Sequence, residues 1–232
     1  FPNSVLIPET QNNIEFIPPP WKDDIGHSKK VLLFLSRFDS IKGIYLLIDA
    51  WKKFYYSEEV NNWVLAIVGY GDNGQLEKFV NNMKNKNYLR NVFVYPPAFG
   101  KFKDSCFRNS DAFILPSYSE ASPMSALEAL SYGKPSIISS SCGIYENAKF
   151  INKSLSRLSD IPYIECSSNI KSIYKCLKKL LNMDKSLLDE YSRKSINFID
   201  ENYNAKNNLK ELLKIYDSII KGKRISKKYI YR

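Results

Sequence analysis

Long hydrophobic runs are missing from this 232-residue chain. The longest, such as Val31 to Leu35 and Val64 to Val68, fall far short of the roughly 20 apolar residues a helix needs to cross a bilayer. A membrane-spanning helix is therefore not expected. Histidine occurs once, as His27, inside the polar stretch Lys22 to Lys30. That setting suits a surface loop better than a catalytic base. The four cysteines (Cys106, Cys142, Cys166, Cys176) contain no C-x-x-C pair and no metal-ligand spacing. They read as reduced, mostly buried thiols of a cytosolic protein. Gly and Ala are scarce while Asn, Lys, Ile and Tyr abound, a drift without functional content. No internal repeat and no low-complexity linker is visible. Acidic residues are in the minority, 24 against 34 Lys and Arg, for a formal net charge of +10. That balance favours anionic partners: nucleotide phosphates, nucleic acid or an acidic membrane surface. By itself it does not choose among them.

What is present is ordinary for a globular protein: 44% apolar and 25% charged residues. The length fits one large or two small domains. Residues 1–30 read as an irregular lead-in, stiffened by Pro18-Pro19-Pro20. From residue 31 onward strands and helices alternate. Val31 to Leu35 is a continuous apolar run, the mark of a strand buried on both faces. A helix is expected from about Gly43 to Tyr55, with Leu46, Leu47, Ala50, Trp51 and Phe54 at helical spacing. Further strands are expected at Trp63 to Val68, Asn91 to Tyr95, Ala112 to Leu115 and Ser136 to Ser139, with a weaker one at Tyr163 to Cys166. Helices are expected from Asn73 to about Lys86, around Asp104 to Arg108, and from Pro123 to Tyr132, the last stopped by Gly133. Three more follow at about 168–182, 184–200 and 204–221. The pattern predicts an α/β fold: a Rossmann-like parallel sheet of about six strands with flanking helices and C-terminal helices. Its parts are a lead-in (1–30), a Rossmann-like domain (31–201) and a C-terminal helix with a basic tail (202–232). The tail, Lys221 to Arg232, carries six basic side chains with Tyr229, Ile230 and Tyr231 among them. A disordered tail is the default expectation; attachment to anionic lipid headgroups is the sharper one.

In open sheets of this kind ligands bind beyond the carboxyl ends of the strands. The loop after the fourth strand holds Glu120 and Glu128, separated by seven residues. Between them the chain passes from loop to helix. Ser122 suits the N-cap and Pro123 the first helical position. The free amides near Met124 and Ser125 would then hold a phosphate. Spacing alone equally allows two surface carboxylates. The loop after the first strand places Arg37 and Lys42 five residues apart, ahead of Gly43. Arg37 can fork two phosphate oxygens and Lys42 can add a point charge, though two solvated cations fit as well. Gly69-Tyr70-Gly71 suits a tight turn near a ligand but is not the G-x-G-x-x-G fingerprint.

Together these segments resemble the nucleotide-sugar-binding, C-terminal half of GT-B fold retaining glycosyltransferases of family 4 (glycosyl transferases group 1). The resemblance runs from about Ile7 to Tyr145. Ser36-Arg37 through Lys42-Gly43 is similar to the family's G-R-x(4)-K-G segment, with Ser36 in place of Gly. Gly69-Tyr70-Gly71 is similar to its G-x-G turn. Glu120 to Glu128 resembles its E-x7-E signature, followed by A-x-x-x-G-x-P as Ala129 to Pro135. Cys142-Gly143-Ile144-Tyr145-Glu146 resembles its G-G-x-x-E ending, with Cys142 for the first Gly.

The resemblance implies roles. Arg37 and Lys42 would neutralise the diphosphate of a nucleoside diphosphate sugar, UDP- or GDP-linked, and stabilise it as leaving group. With Glu120, which would bind hydroxyls of the donor sugar, they form the implied catalytic set. Glu128 would accept from the ribose hydroxyls. The amides from Ser122 to Ser125, through Pro123 and Met124, would hold sugar and diphosphate. Ala121, where Gly is frequent, would narrow the loop around the sugar. The base would lie near Gly69 and Tyr70, with Gly71, and near the Tyr95 to Phe99 loop, with Ala98 and Phe99. No metal and no cofactor is implied, and no D-x-D motif lies on a suitable loop. The implied partners are the nucleotide-sugar donor and a glycan or lipid-linked acceptor. An N-terminal GT-B domain, in cis or in trans, would bind that acceptor. An anionic membrane surface could engage residues 221–232. Nucleic acid is not implied: no recognition motif is present and the aromatics lie mostly at core spacing. The expected location is cytoplasmic, with a peripheral place at the cytoplasmic membrane as the open alternative. A non-catalytic nucleotide-sugar-binding subunit is the alternative.

Overall fold

Val31 to Phe34 are almost fully buried because their strand lies at the centre of a sheet covered on both faces. The computed structural model describes residues 3–8, 17–26, 28–151 and 161–222. His27 and the basic stretch beyond Gly222 lie outside these residues. Six strands form the sheet: β1 (Lys30–Arg37), β2 (Trp63–Tyr70), β3 (Val92–Tyr95), β4 (Ala112–Leu115), β5 (Ser136–Ser139) and β6 (Ile164–Cys166). All neighbours pair in parallel, in the order β3-β2-β1-β4-β5-β6. This is the doubly wound Rossmann order, and its direction reverses between β1 and β4. A crevice for ligands therefore opens at the carboxyl ends of those two strands.

Eight helices connect and cover the strands among the described residues: α1 (Ile44–Lys52), α2 (Gln75–Asn85), α3 (Lys101–Arg108), α4 (Met124–Ser131), α5 (Ile144–Ile151), α6 (Ile170–Leu181), α7 (Lys185–Asn202) and α8 (Ala205–Ile220). The buried Leu47, Ala50 and Trp51 hold α1 to the core, and Phe54 does the same for the turn after it. Phe54 reaches Tyr174 of α6 at a ring separation of 4.7 Å. Burial of each large apolar side chain of this kind contributes about 1.5–3 kcal/mol. The indole of Trp51 donates to the Arg90 carbonyl (3.1 Å) and that of Trp63 to the Leu181 carbonyl (3.3 Å), so neither polar edge is stranded. Lys134 donates to the carbonyls of Arg108 (3.0 Å) and Ser110 (2.7 Å), tying the end of α3 to the approach of β5. Burial holds the pKa of this ammonium down, to about 8.

The sequence pattern misplaces several boundaries. The helix expected to reach Tyr55 ends at Lys52, where the amides of Lys53, Phe54 and Tyr55 each donate three residues back and the chain tightens into turns. The helix placed around Asp104 starts at Lys101. Helix α5 is absent from the sequence expectations, although Ile144 and Ala148, both buried, carry a helical spacing. The lead-in is irregular where described, except at Val5. Its amide donates to the Tyr203 carbonyl (2.9 Å) and its carbonyl accepts from Ala205 (2.9 Å), at the break between α7 and α8. Helix α8 buries no residue, and Leu209, Leu213, Tyr216 and Ile220 stand exposed on it. Among the described residues no helix is long and apolar enough to cross a membrane.

Candidate functional site

Two loops leave the carboxyl edge beside the point where the strand order reverses. The first runs from Arg37 to Gly43. Asp39 accepts the Ile41 amide (3.0 Å) and nucleates the short turn Ser40–Lys42. Gly43 ends that turn with φ of +71°, a conformation open to glycine. A Cβ there would lie 2.2 Å from the Pro116 carbonyl oxygen. The two loops are thus in backbone contact, and the Tyr118 amide also donates to the Ile41 carbonyl (2.8 Å). This contact brings Lys42 to Glu120. Their ammonium and carboxylate form an ion pair with side chains only 15% and 9% exposed. Ser117 adds a second donor to the same Glu120 oxygen, at 3.2 Å.

The second carboxylate has its own cation. Lys103 of α3 donates to Glu128 of α4 at 2.6 Å. Glu120 and Glu128 therefore face lysines rather than each other. They are placed as hydrogen-bond acceptors, not as an acid/base couple sharing a proton. Arg37 stands exposed and makes no ion pair among the described residues.

These groups surround one cavity of about 280 Å³. Its lining includes Ser36, Arg37 and Lys42 from the first loop, Gly69 and Tyr70 after β2, and Pro97, Ala98 and Phe99 after β3. Lys103, Glu120, Ser122, Pro123, Met124, Ser125 and Glu128 close the other side. The rings of Tyr70 and Phe99 approach to 5.9 Å and are both largely exposed. Gly69 lets the carboxyl ends of β1 and β2 lie close: a Cβ on it would lie 1.9 Å from the Ser36 carbonyl oxygen.

Most of the residues singled out in the sequence thus gather at one cavity, but not all. Gly71 lines a neighbouring groove with Asp72 and Tyr95. Ala121 is exposed and does not line the cavity. The expected cap also differs. Pro123, with ψ of 72°, is the N-cap of α4, and no side chain caps the helix. Ser122 instead accepts from the Asn3 side chain at 2.5 Å. The Met124 amide folds back onto the Ser122 carbonyl (2.9 Å), and those of Ala126 and Leu127 donate to the Pro123 carbonyl. Ser125 is the first-turn amide left without a backbone acceptor among the described residues. Sequence reasoning misses Lys103. A signal for Lys103 exists: a lysine in the first turn of a helix opposes the helix dipole and calls for another reason.

All four cysteines are free and buried, as expected. The Cys142 thiol is pushed up to about 12, first by burial and then by the nearby Glu120 carboxylate, so it stays neutral and is no nucleophile. Among the described residues no three His, Cys, Asp or Glu side chains come together in a way that could hold a metal ion.

A family model described as "Glycosyl transferases group 1" matches residues 19–154, more than half of the chain and all of this cavity's lining. The chain belongs to that family. No curated protein matches it. Several solved structures share the fold of this group 1 glycosyl transferase chain. Sucrose-phosphate synthase from Thermosynechococcus elongatus superposes with a TM-score of 0.68 at 15% identity, over 86% of this chain and 47% of its own. A TarM variant from S. aureus, in complex with fondaparinux, alpha-GlcNAc-glycerol and UDP, gives 0.64 at 22% identity, over 89% and 38%. WaaG, a glycosyltransferase involved in lipopolysaccharide biosynthesis, gives 0.61 at 20% identity, over 87% and 49%. The likeness shows the fold, a Rossmann-like unit of GT-B glycosyltransferases. The group 1 chain spans about half or less of the length of these structures.

Proposed function

We propose that this chain binds the nucleoside diphosphate sugar donor of a retaining, metal-independent sugar transfer. The observation that carries the reading is the convergence of Arg37, Lys42, Glu120, Glu128 and the α4 first turn on one cavity at the reversal of strand order. Each group has matching chemistry. Arg37 and Lys42 neutralise the diphosphate, with the Ser125 amide and the α4 dipole beside them. As the bond from the anomeric carbon to the diphosphate oxygen breaks, these cations stabilise the charge left on the diphosphate. They take the place a divalent cation would otherwise fill. Glu120 accepts from hydroxyls of the sugar and Glu128 from those of the ribose. Tyr70 and Phe99 border the space left for a uracil or guanine base. The acceptor, a hydroxyl of a glycan or of a lipid-linked sugar, replaces the diphosphate with the anomeric configuration kept.

A second reading has its own support. The solved structures that resemble this chain are about twice its length or more. A separate Rossmann-like unit would then present the acceptor, and the exposed Leu209, Leu213, Tyr216 and Ile220 of α8 offer it an apolar face. On this reading the chain is a nucleotide-sugar-binding subunit, and turnover requires that partner.

Both readings require donor binding here. Glu128→Ala should weaken a bound ribonucleoside diphosphate by about 2 kcal/mol, from hydrogen bonds lost by a charged acceptor. Calorimetric titration measures it, and an unchanged affinity removes Glu128 from the site.

A further inference from the structure

Lys103 is placed against the local rules of its helix. It occupies the third position of α3, whose N-cap Gly100 provides no side-chain cap. The positive end of a helix disfavours an ammonium there. A residue that breaks a local rule at the wall of a cavity calls for a functional reason. The geometry supplies one: the Lys103 ammonium lies 2.6 Å from one Glu128 oxygen, with both side chains at the cavity wall and partly exposed, 30% and 23%.

From this contact we infer that Lys103 is a positioning residue for the ribose: it holds one oxygen of Glu128 so that the other faces the sugar hydroxyls. The inference rests on the donor-binding reading above. The terminal torsion of a glutamate is broad, so an unheld carboxylate samples many orientations. Lys103 removes that freedom with a charge-assisted hydrogen bond. It also offsets the Glu128 charge, which would otherwise repel the incoming diphosphate. Only the first effect distinguishes a nucleotide with ribose hydroxyls from one without them.

The test follows from that distinction. Affinities of UDP, GDP and ADP and of their 2′,3′-dideoxy counterparts are measured by calorimetry for the wild type, Lys103→Met and Lys103→Arg. The readout is the preference for the ribose form, the ratio of the two dissociation constants. A general loss of charge weakens both forms alike and cancels in that ratio. Lys103→Met should lower the preference roughly tenfold, the scale of one charged hydrogen bond. Lys103→Arg, which keeps a cation with reach, should retain it within about threefold. A preference unchanged in Lys103→Met, in protein whose circular dichroism and melting match the wild type, overturns the role of Lys103. No binding of any of the six nucleotides by folded wild type overturns the donor reading, and this inference with it.

Discussion

Lys42→Ala is expected to weaken binding of a nucleoside diphosphate by about 100-fold, the scale of a lost charge-assisted contact with a neighbour left unbalanced. The loss has two parts. The ammonium no longer attracts the phosphates. Glu120, relieved of its partner, then turns an uncompensated negative charge toward them. Because the pair is mostly shielded from water, screening does little to soften either part. The ligand-free protein should also lose stability, by about 2 kcal/mol, since removing one member of a shielded pair strands the other. Adding Glu120→Gln separates the parts. The double variant should regain most of the stability but not the phosphate affinity, a coupling that a double-mutant cycle reads directly. An affinity in Lys42→Ala within threefold of the wild type would place Lys42 outside the phosphate site. Full recovery of affinity in the double variant would mean that Lys42 serves only to neutralise Glu120.

Gly69→Ala carries the largest expected cost to the fold, roughly 3 kcal/mol, at the upper end of overpacking by a methyl group. The added Cβ would sit 1.9 Å from the Ser36 carbonyl oxygen and 2.7 Å from the Phe38 ring. A ring can turn away, but a backbone carbonyl moves only if the ends of β1 and β2 part. Those ends carry Arg37 and Tyr70, so nucleotide binding should fall with stability. Gly26→Ala is the control. No atom lies within 4 Å of the position its methyl group would take, and its φ is not in the left-handed region, so its stability should stay within about 0.5 kcal/mol. Urea denaturation of the three proteins measures both. A midpoint in Gly69→Ala equal to the wild type would contradict the close approach of β1 and β2 at Ser36 and Gly69.

Much of the fold was legible because its signals are local. Continuous apolar runs such as Val31 to Leu35 mark doubly covered strands. Glycine with positive φ marks ends, as Gly133 (φ +66°) does just beyond α4. Ser136–Ser139 emerged with its bounds intact for the same reason. Helix α5 was not legible: Ile144 and Ala148 give its buried stripe only two members, too few to mark a helical period. The α4 cap failed for a physical reason of another kind. Ser122 is a good capping residue in isolation, but a residue distant in sequence, Asn3, engages its hydroxyl.

The candidate site divides along the same line. Arg37, Lys42, Glu120 and Glu128 could be picked out because loop position and spacing are sequence properties. What each carboxylate touches is not. The pairing of Lys42 with Glu120 depends on Gly43 pressing against Pro116, residues far apart in the chain. The pairing of Lys103 with Glu128 depends on α3 lying near α4, where Phe107 stacks on Tyr132 just past the end of α4 at 5.4 Å. Both pairs add to the reading of the carboxylates as hydroxyl acceptors: each is held in place by a lysine.

Calorimetric titration of the folded wild-type chain with UDP and GDP tests the central claim most directly. Saturable one-to-one binding of at least one of them is expected, weakened by added salt because the contacts are between cations and phosphates. No saturable binding of either by protein shown to be folded would contradict it.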